Sequence, residues 1–232
     1  RPSVIGVKQA LSGLAILAAL HLNPPPATAA DTLPTGANVL GGSNVAVVSN
    51  PTTTTMRVDQ FQNKAIIEYQ SFSIGSGYGV QFVQPGASSI ALNRVVGNDG
   101  SRIFGSLTAN GQVFLVNPNG VLFAPGASVS VGGLVASTLD IRNEDFNKGN
   151  YAFQGNPGAG AVINRAEIHA TSGYAALIGP KVSNEGLIRA RTAALAAGNR
   201  VALDMIGDNL INVRVEQAAL GALALHKGTI PA

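Results

Sequence analysis

The chain has 232 residues, enough for one sizeable core, and 46% of them are apolar, which separates it from disordered sequences. Only 12% are charged, and once Arg1 and Lys8 are set aside as part of a leader, the 15 basic residues become 13 against 12 acidic ones, so the charge balance gives nucleic-acid binding no support. With 0 Cys, disulfides, zinc–thiolate centres and cysteine nucleophiles are excluded together.

Residues 1–30 read as a secretory leader. Arg1 and Lys8 lie at its start, Ala10–Leu22 is a short apolar run, and Ala27-Thr28-Ala29 is a small-x-small site, which makes Ala27, Ala29 and Ala30 the cleavage region. The run is too short to span a bilayer, and Pro24-Pro25-Pro26 would break any helix there. The chain opens at Arg1, so part of the charged n-region is expected upstream. The mature domain, residues 31–232, is then expected outside the inner membrane and not inserted in one.

Thr32–Thr55 is rich in Gly, Ser, Asn and Thr, with a strand candidate at Asn44–Val48. Lys64–Tyr69, Gln70–Ile74, Val80–Val83, Ser89–Val96 and Arg102–Leu107 follow as strands, being apolar, β-branched or alternating runs of strand length. Gln112–Val116 and Val121–Ala124 flank Asn117-Pro118-Asn119-Gly120. There the Asn side chain can bond its own backbone, Pro presets φ, and Asn-Gly suits the exit. An x-Pro-Gly-Ala corner recurs at 84–87, 124–127 and 156–159, each fitting a type II turn. Asn143–Phe153 breaks the strand pattern and reads as a loop or short helical turn.

The architecture is legible after residue 160. Asn164-Arg165-Ala166-Glu167-Ile168-His169-Ala170 matches Asn184-Glu185-Gly186-Leu187-Ile188-Arg189-Ala190 at a separation of 20, and His226–Ala232 continues the pattern 42 residues later. Such a unit of short strands and tight turns marks an all-β solenoid, with Ile168 stacked near Ile188 and Asn164 near Asn184. Roughly eight to ten coils about 4.8 Å apart would make a rod on the order of 40–50 Å long. Between Asn184 and His226 an excursion is favoured over a second coil, because Glu216–Leu225 is rich in helix formers, with Leu220 and Leu223 among them.

Catalytic constellations are weak. His21 falls in the leader, while His169 and His226 hold non-equivalent repeat positions with no second ligand beside them. Asp204 and Asp208 are four apart but sit at a turn with no third carboxylate, and Asp140, Glu144 and Asp145 with Arg142 read as a solvated, locally paired loop. No phosphate-binding loop, Gly-x-Ser-x-Gly or His-Glu-x-x-His is present. No enzyme activity, cofactor or metal is expected.

Three segments in order, Leu92–Val95 (LNRV), Ser106–Gly120 (SLTANGQVFLVNPNG) and Gly133–Ile141 (GLVASTLDI), resemble the two-partner secretion domain at the start of filamentous-haemagglutinin-like exoproteins of Gram-negative bacteria. The similarity runs from about Asn38 to at least Leu203. It is to the shorter adhesin branch, since the Asn-Pro-Asn-Leu motif of longer members is absent and LNRV occupies that region. The resemblance implies a right-handed parallel β-helix with an N-terminal capping sheet, placed here within residues 31–60 with Asn38–Ser49 as candidate cap, and antiparallel strands outside the rod. It implies recognition by an outer-membrane transporter barrel with periplasmic recognition domains, then secretion or surface display via the periplasm and folding that nucleates later coils.

The absence of Cys suits a chain threaded unfolded through a pore. A longer exoprotein, reaching host cells through downstream sequence, is expected. Motif positions carried over are Asn93, Arg94, Asn117, Pro118, Asn119 and Gly120, either as transporter contacts or as corner residues that satisfy backbone groups. The competing class is a carbohydrate-binding or polysaccharide-cleaving β-helix protein.

Overall fold

The computed structural model describes residues 32–155, 158–206, 210–219 and 221–230. The leader with Ala27, Ala29 and Ala30, residues 156–157 of the third Pro-Gly corner, Asp208 and Leu220 lie outside them.

The chain winds through three parallel sheets in turn. Sheet I stacks Lys64–Tyr69, Ile90–Val95, Gln112–Val116 and Gly133–Ser137, then the second halves of Glu167–Gly179 and Leu187–Ala197. Sheet II stacks Thr55–Gln60, Gly79–Val83, Ser106–Ala109 and Ser128–Ser130, then the first halves of those two long strands. Sheet III stacks Ser101–Ile103, Val121–Phe123, Ala161–Asn164, Lys181–Asn184 and Leu223–His226. This is a parallel β-helix, built from crossovers of the kind that are right-handed in nearly all proteins.

Period-2 alternation decides which residues fill it. One inward ladder of sheet II is Met56, Val80, Leu107, Val129, Ile168 and Ile188, in register and buried. Each such side chain contributes roughly 1.5–3 kcal/mol through burial, so the ladder holds neighbouring coils in one register. Ile168 beside Ile188 and Asn164 beside Asn184 stand as the repeat spacing requires.

Six rungs of sheet I span roughly 25 Å at the usual strand spacing, shorter than the rod expected from chain length. Two excursions, with described residues 138–155 and 158–160 in the first and 198–206 and 210–219 in the second, consume chain without adding coils. The first contains Asp140–Ile141, a helix Asn143–Lys148 ended by Gly149 in the left-handed region (φ 83°), and Tyr151–Gln154. The second is the antiparallel pair Arg200–Ile206 and Leu210–Gln217. Together they form a four-stranded sheet outside the rod. Phe146 of the helix and Tyr151, Phe153, Val201 and Leu203 of this sheet cover Ile66, Leu92, Phe114 and Val135 on the outer face of sheet I.

Four local expectations change. Gln70–Ile74 is not a strand: it makes only isolated bridges, Ser71 with Thr35 and Ile74 with Ile103, as the chain turns from sheet I toward sheet III. Helix formers do not make a helix at Glu216–Leu225: Gln217 ends a strand and Leu223–His226 pairs in parallel with Lys181–Asn184, tertiary pairing overriding propensity. Arg102–Leu107 is not one strand but two, turning between sheets III and II at Phe104-Gly105. Of the Pro-Gly corners, Gly126 has φ 84° and the Ala127 N–H bonds to the Ala124 carbonyl (3.1 Å), whereas Gly86 does not enter the left-handed region.

The first rungs are covered. Asn38–Val39 pairs antiparallel with Lys64–Tyr69, and Ala46–Thr52 pairs antiparallel with Thr55–Gln60. These strands remove the edge that an uncapped coil would present as a template for aggregation.

Candidate functional site

The Asn117–Gly120 corner leaves sheet I after the wholly buried strand Gln112–Val116. The Gly120 N–H closes the turn on the Asn117 carbonyl (3.0 Å), and the Asn119 N–H bonds to Asn117 Oδ1 (3.0 Å). Asn117 Nδ2 reaches the preceding coil, donating to the Asp99 carbonyl and to Ser101 Oγ, both at 2.9 Å. Its backbone N–H reaches the following coil at the Ser137 carbonyl (2.9 Å). Asn119 Nδ2 adds a bond to the Gly97 carbonyl (2.9 Å). Gly120 has φ 122°, where an L side chain is strained, which explains the glycine. Asn117 is fully buried, whereas Pro118 and Asn119 are exposed.

Asn93 is also fully buried, but inside the rod, in the inward ladder between Ile67 and Leu115. Its Nδ2 donates to the Ala91 and Phe114 carbonyls (3.1 and 3.3 Å), while its Oδ1 has no protein partner. Arg94, next along, points outward with its side chain 12% exposed. Its Nε bonds Asp140 Oδ1 (2.9 Å), Nη1 bonds Asn143 Oδ1 (2.7 Å) and Nη2 bonds the Ile141 carbonyl. Glu68 lies 3.7 Å away. Asp140 is therefore paired across 46 residues with Arg94 and not within its own loop with Arg142, because the guanidinium fork matches the carboxylate and helix start that pack over it.

Sequence reading missed the partners of this latch. Lys64 Nζ donates to the Phe146 and Asn147 carbonyls (2.8 and 3.0 Å) at the C-terminal end of the short helix. It lies over the Phe146 and Tyr151 rings at 5.5 and 5.4 Å from their centroids, and burial pushes its pKa down. Also missed was a buried glutamine stack at the corner between sheets II and I. Gln84 Nε2 donates to Gln60 Oε1 (2.9 Å), the Gly111 N–H donates to Gln84 Oε1 (3.0 Å), and Tyr174 Oη donates to Gln112 Oε1 (2.6 Å). The only sequence signal was Gln placed beside apolar strands at Gln60, Gln84 and Gln112.

The structure thus brings Arg94, Pro118 and Asn119 to one groove of about 1300 Å³ between rod and outer sheet, with Glu68, Asp140 and Arg142. It separates them from Asn93 and Asn117, which are interior. Both signs of charge line the groove, and among the described residues no cluster of three metal-binding side chains occurs. Asp204 stands exposed opposite Asn212 on the outer hairpin, and His169 lies 2.8 Å from Glu167 on the outer surface of sheet II. Among the described residues no helix is long and apolar enough to cross a membrane.

Comparison with known proteins places this geometry. The family model of the TPS secretion domain matches residues 28–230. A heme/hemopexin-binding protein of Haemophilus influenzae strain Rd is 37% identical over 212 residues, covering 86% of this chain, and a second Haemophilus influenzae protein of that name is 42% identical over 106 residues, covering 46% of this chain. The chain spans only 23% and 11% of the lengths of these relatives. The HMW1 secretion domain from Haemophilus influenzae superposes with a TM-score of 0.73 at 29% identity, over 85% of this chain and 53% of that one. A filamentous hemagglutinin secretion domain, with a TM-score of 0.57 at 16% identity over 85% of this chain and 75% of that one, shares the fold. With the family model covering nearly all of the stacked coils and their caps, the chain belongs to the TPS secretion domain family.

Proposed function

We propose that this domain carries a larger exoprotein out of the cell through a cognate outer-membrane transporter, and that its folded coils start the folding of the downstream sequence. The protein is delivered through the periplasm to the outside or to the cell surface, and the domain works without catalysis. One observation carries the reading: antiparallel strands close the rod over its first rungs, and every later coil stacks in parallel register on the one before it. Such stacking lets each later coil add by local pairing, which lowers the cost of a fold made of non-local contacts. Folding outside the pore also opposes return without any nucleotide.

Within this reading the motif acts mainly by building the corner. Asn93 and Asn117 are buried and Arg94 is engaged by the outer sheet, so Pro118 and Asn119 are the motif residues exposed to a partner. The polysaccharide-enzyme alternative, which rests on Asp204 and Asp208, has less support, since Asp204 stands exposed opposite Asn212 on the outer hairpin and does not line the groove. The test is export of the chain fused to a reporter, with and without a co-expressed transporter from the same family of systems. Transporter-dependent appearance outside the cell is expected; equal export in both strains would contradict the reading.

A further inference from the structure

The inner position of sheet III that begins apolar, with Ile103 and Phe123, turns polar as the coils proceed: Asn164, Asn184 and His226 stand over one another in register. The Ala166 N–H donates to Asn164 Oδ1 (3.0 Å), which fixes that amide and leaves its Nδ2 to donate to Asn184 Oδ1 (2.8 Å). The Asn184 amide is fixed in turn, so its Nδ2 faces His226 Nδ1 at 3.1 Å. An amide nitrogen has only protons to offer, so Nδ1 must present a lone pair, which a doubly protonated imidazole lacks. Turning Asn184 over would set its Nδ2 against Asn164 Nδ2, and turning Asn164 as well would set Nδ2 against the Ala166 N–H. No arrangement of the ladder accepts a charged His226.

We propose that His226 is an acid-sensitive catch: in its neutral form it locks the rung 221–230 onto the coil beneath, and protonation releases that rung. Its other ties are the parallel pairing of Leu223–His226 with Lys181–Asn184, backbone bonds such as Lys227 N–H and Gly228 N–H to the Asn184 carbonyl (2.8 and 3.0 Å) and Ile188 N–H to the Thr229 carbonyl (2.9 Å), and Ile230 against the core. Charged groups on the elements packed against it are Lys181, Glu185 and Arg165, with Arg189 and Arg191 on Leu187–Ala197 and Lys227 next in the chain. Glu185 is paired with Arg165 (2.9 Å), and the two lysines carry the same sign as a protonated imidazole, which adds to release. The contact therefore needs the neutral imidazole and is lost when the ring takes up a second proton.

Hydrogen-exchange protection factors of the full chain at about pH 7.5 and about pH 5 test this. Losing one hydrogen bond of ordinary strength should lower protection of residues 221–230 about fivefold in acid, with Gln112–Val116 unchanged. His226→Asn, whose amide continues the ladder, should keep the rung protected at both pH values, and His226→Lys, a permanent donor, should leave it open at both. Equal protection of the native chain at the two pH values, or an acid response that survives in His226→Asn, would overturn the proposal.

Discussion

Arg94 and Asn93 are adjacent in sequence and opposite in role, because strand alternation sends one out of the rod and the other into it. Arg94 joins a carboxylate, a side-chain amide and a backbone carbonyl of the first excursion at once. Arg94→Ala should destabilise the domain by about 2 kcal/mol in urea unfolding, less than a fully buried pair because Asp140 is half exposed, and Arg94→Lys should not restore it since one ammonium cannot make the fork. Asn93 presents a buried Oδ1 without a protein partner to a ladder of aliphatic neighbours. Asn93→Leu should therefore be neutral or stabilising, while Asn117→Ala, which orphans groups in two coils, should cost about 2 kcal/mol; a large loss from Asn93→Leu would show that its two amide bonds outweigh the unpaired oxygen. Tyr69 and Tyr174 are buried, and burial raises their phenol pKa values well above 10. Stability from these phenols is complete below the unfolded pKa near 10 and is lost as pH rises beyond it. Ultraviolet titration should show both rings ionising only as the chain unfolds.

At the level of elements, the two excursions were the least legible part of the sequence. The repeat at 164–190 showed because turn and ladder residues recur together, whereas in the earlier coils one inward position passes through Ile67, Asn93, Leu115 and Ala136, whose sizes trade against one another without repeating. The corner motif was readable as a turn from its own four residues. Its division into buried Asn117 and exposed Asn119 was not, because burial depends on coils that lie 16 to 22 residues back. The latch was hidden further, since Lys64 meets Phe146 across 82 residues. It fastens a late segment over early coils: Phe114 on the third coil packs against Phe146, Tyr151 and Phe153 at 6.1, 5.4 and 6.2 Å between ring centroids. Phe114→Ala should cost about 3–5 kcal/mol and, measured by limited proteolysis, expose the first excursion before the coils.

For the whole molecule, the stacked coils make most contacts between neighbours, so stability should spread along the rod coil by coil. Export then depends on whether the stack forms, and the motif matters to the extent that it helps the stack form. The most direct test is to plot transporter-dependent export against urea midpoint for Arg94→Ala, Asn117→Ala and the non-motif core variant Leu115→Ala, which should lose about 2–5 kcal/mol. The prediction is one common line, with export set by stability whichever residue is changed. Motif variants that fall well below a line on which Leu115→Ala stays exported would contradict it, and would assign the motif to contact with the transporter.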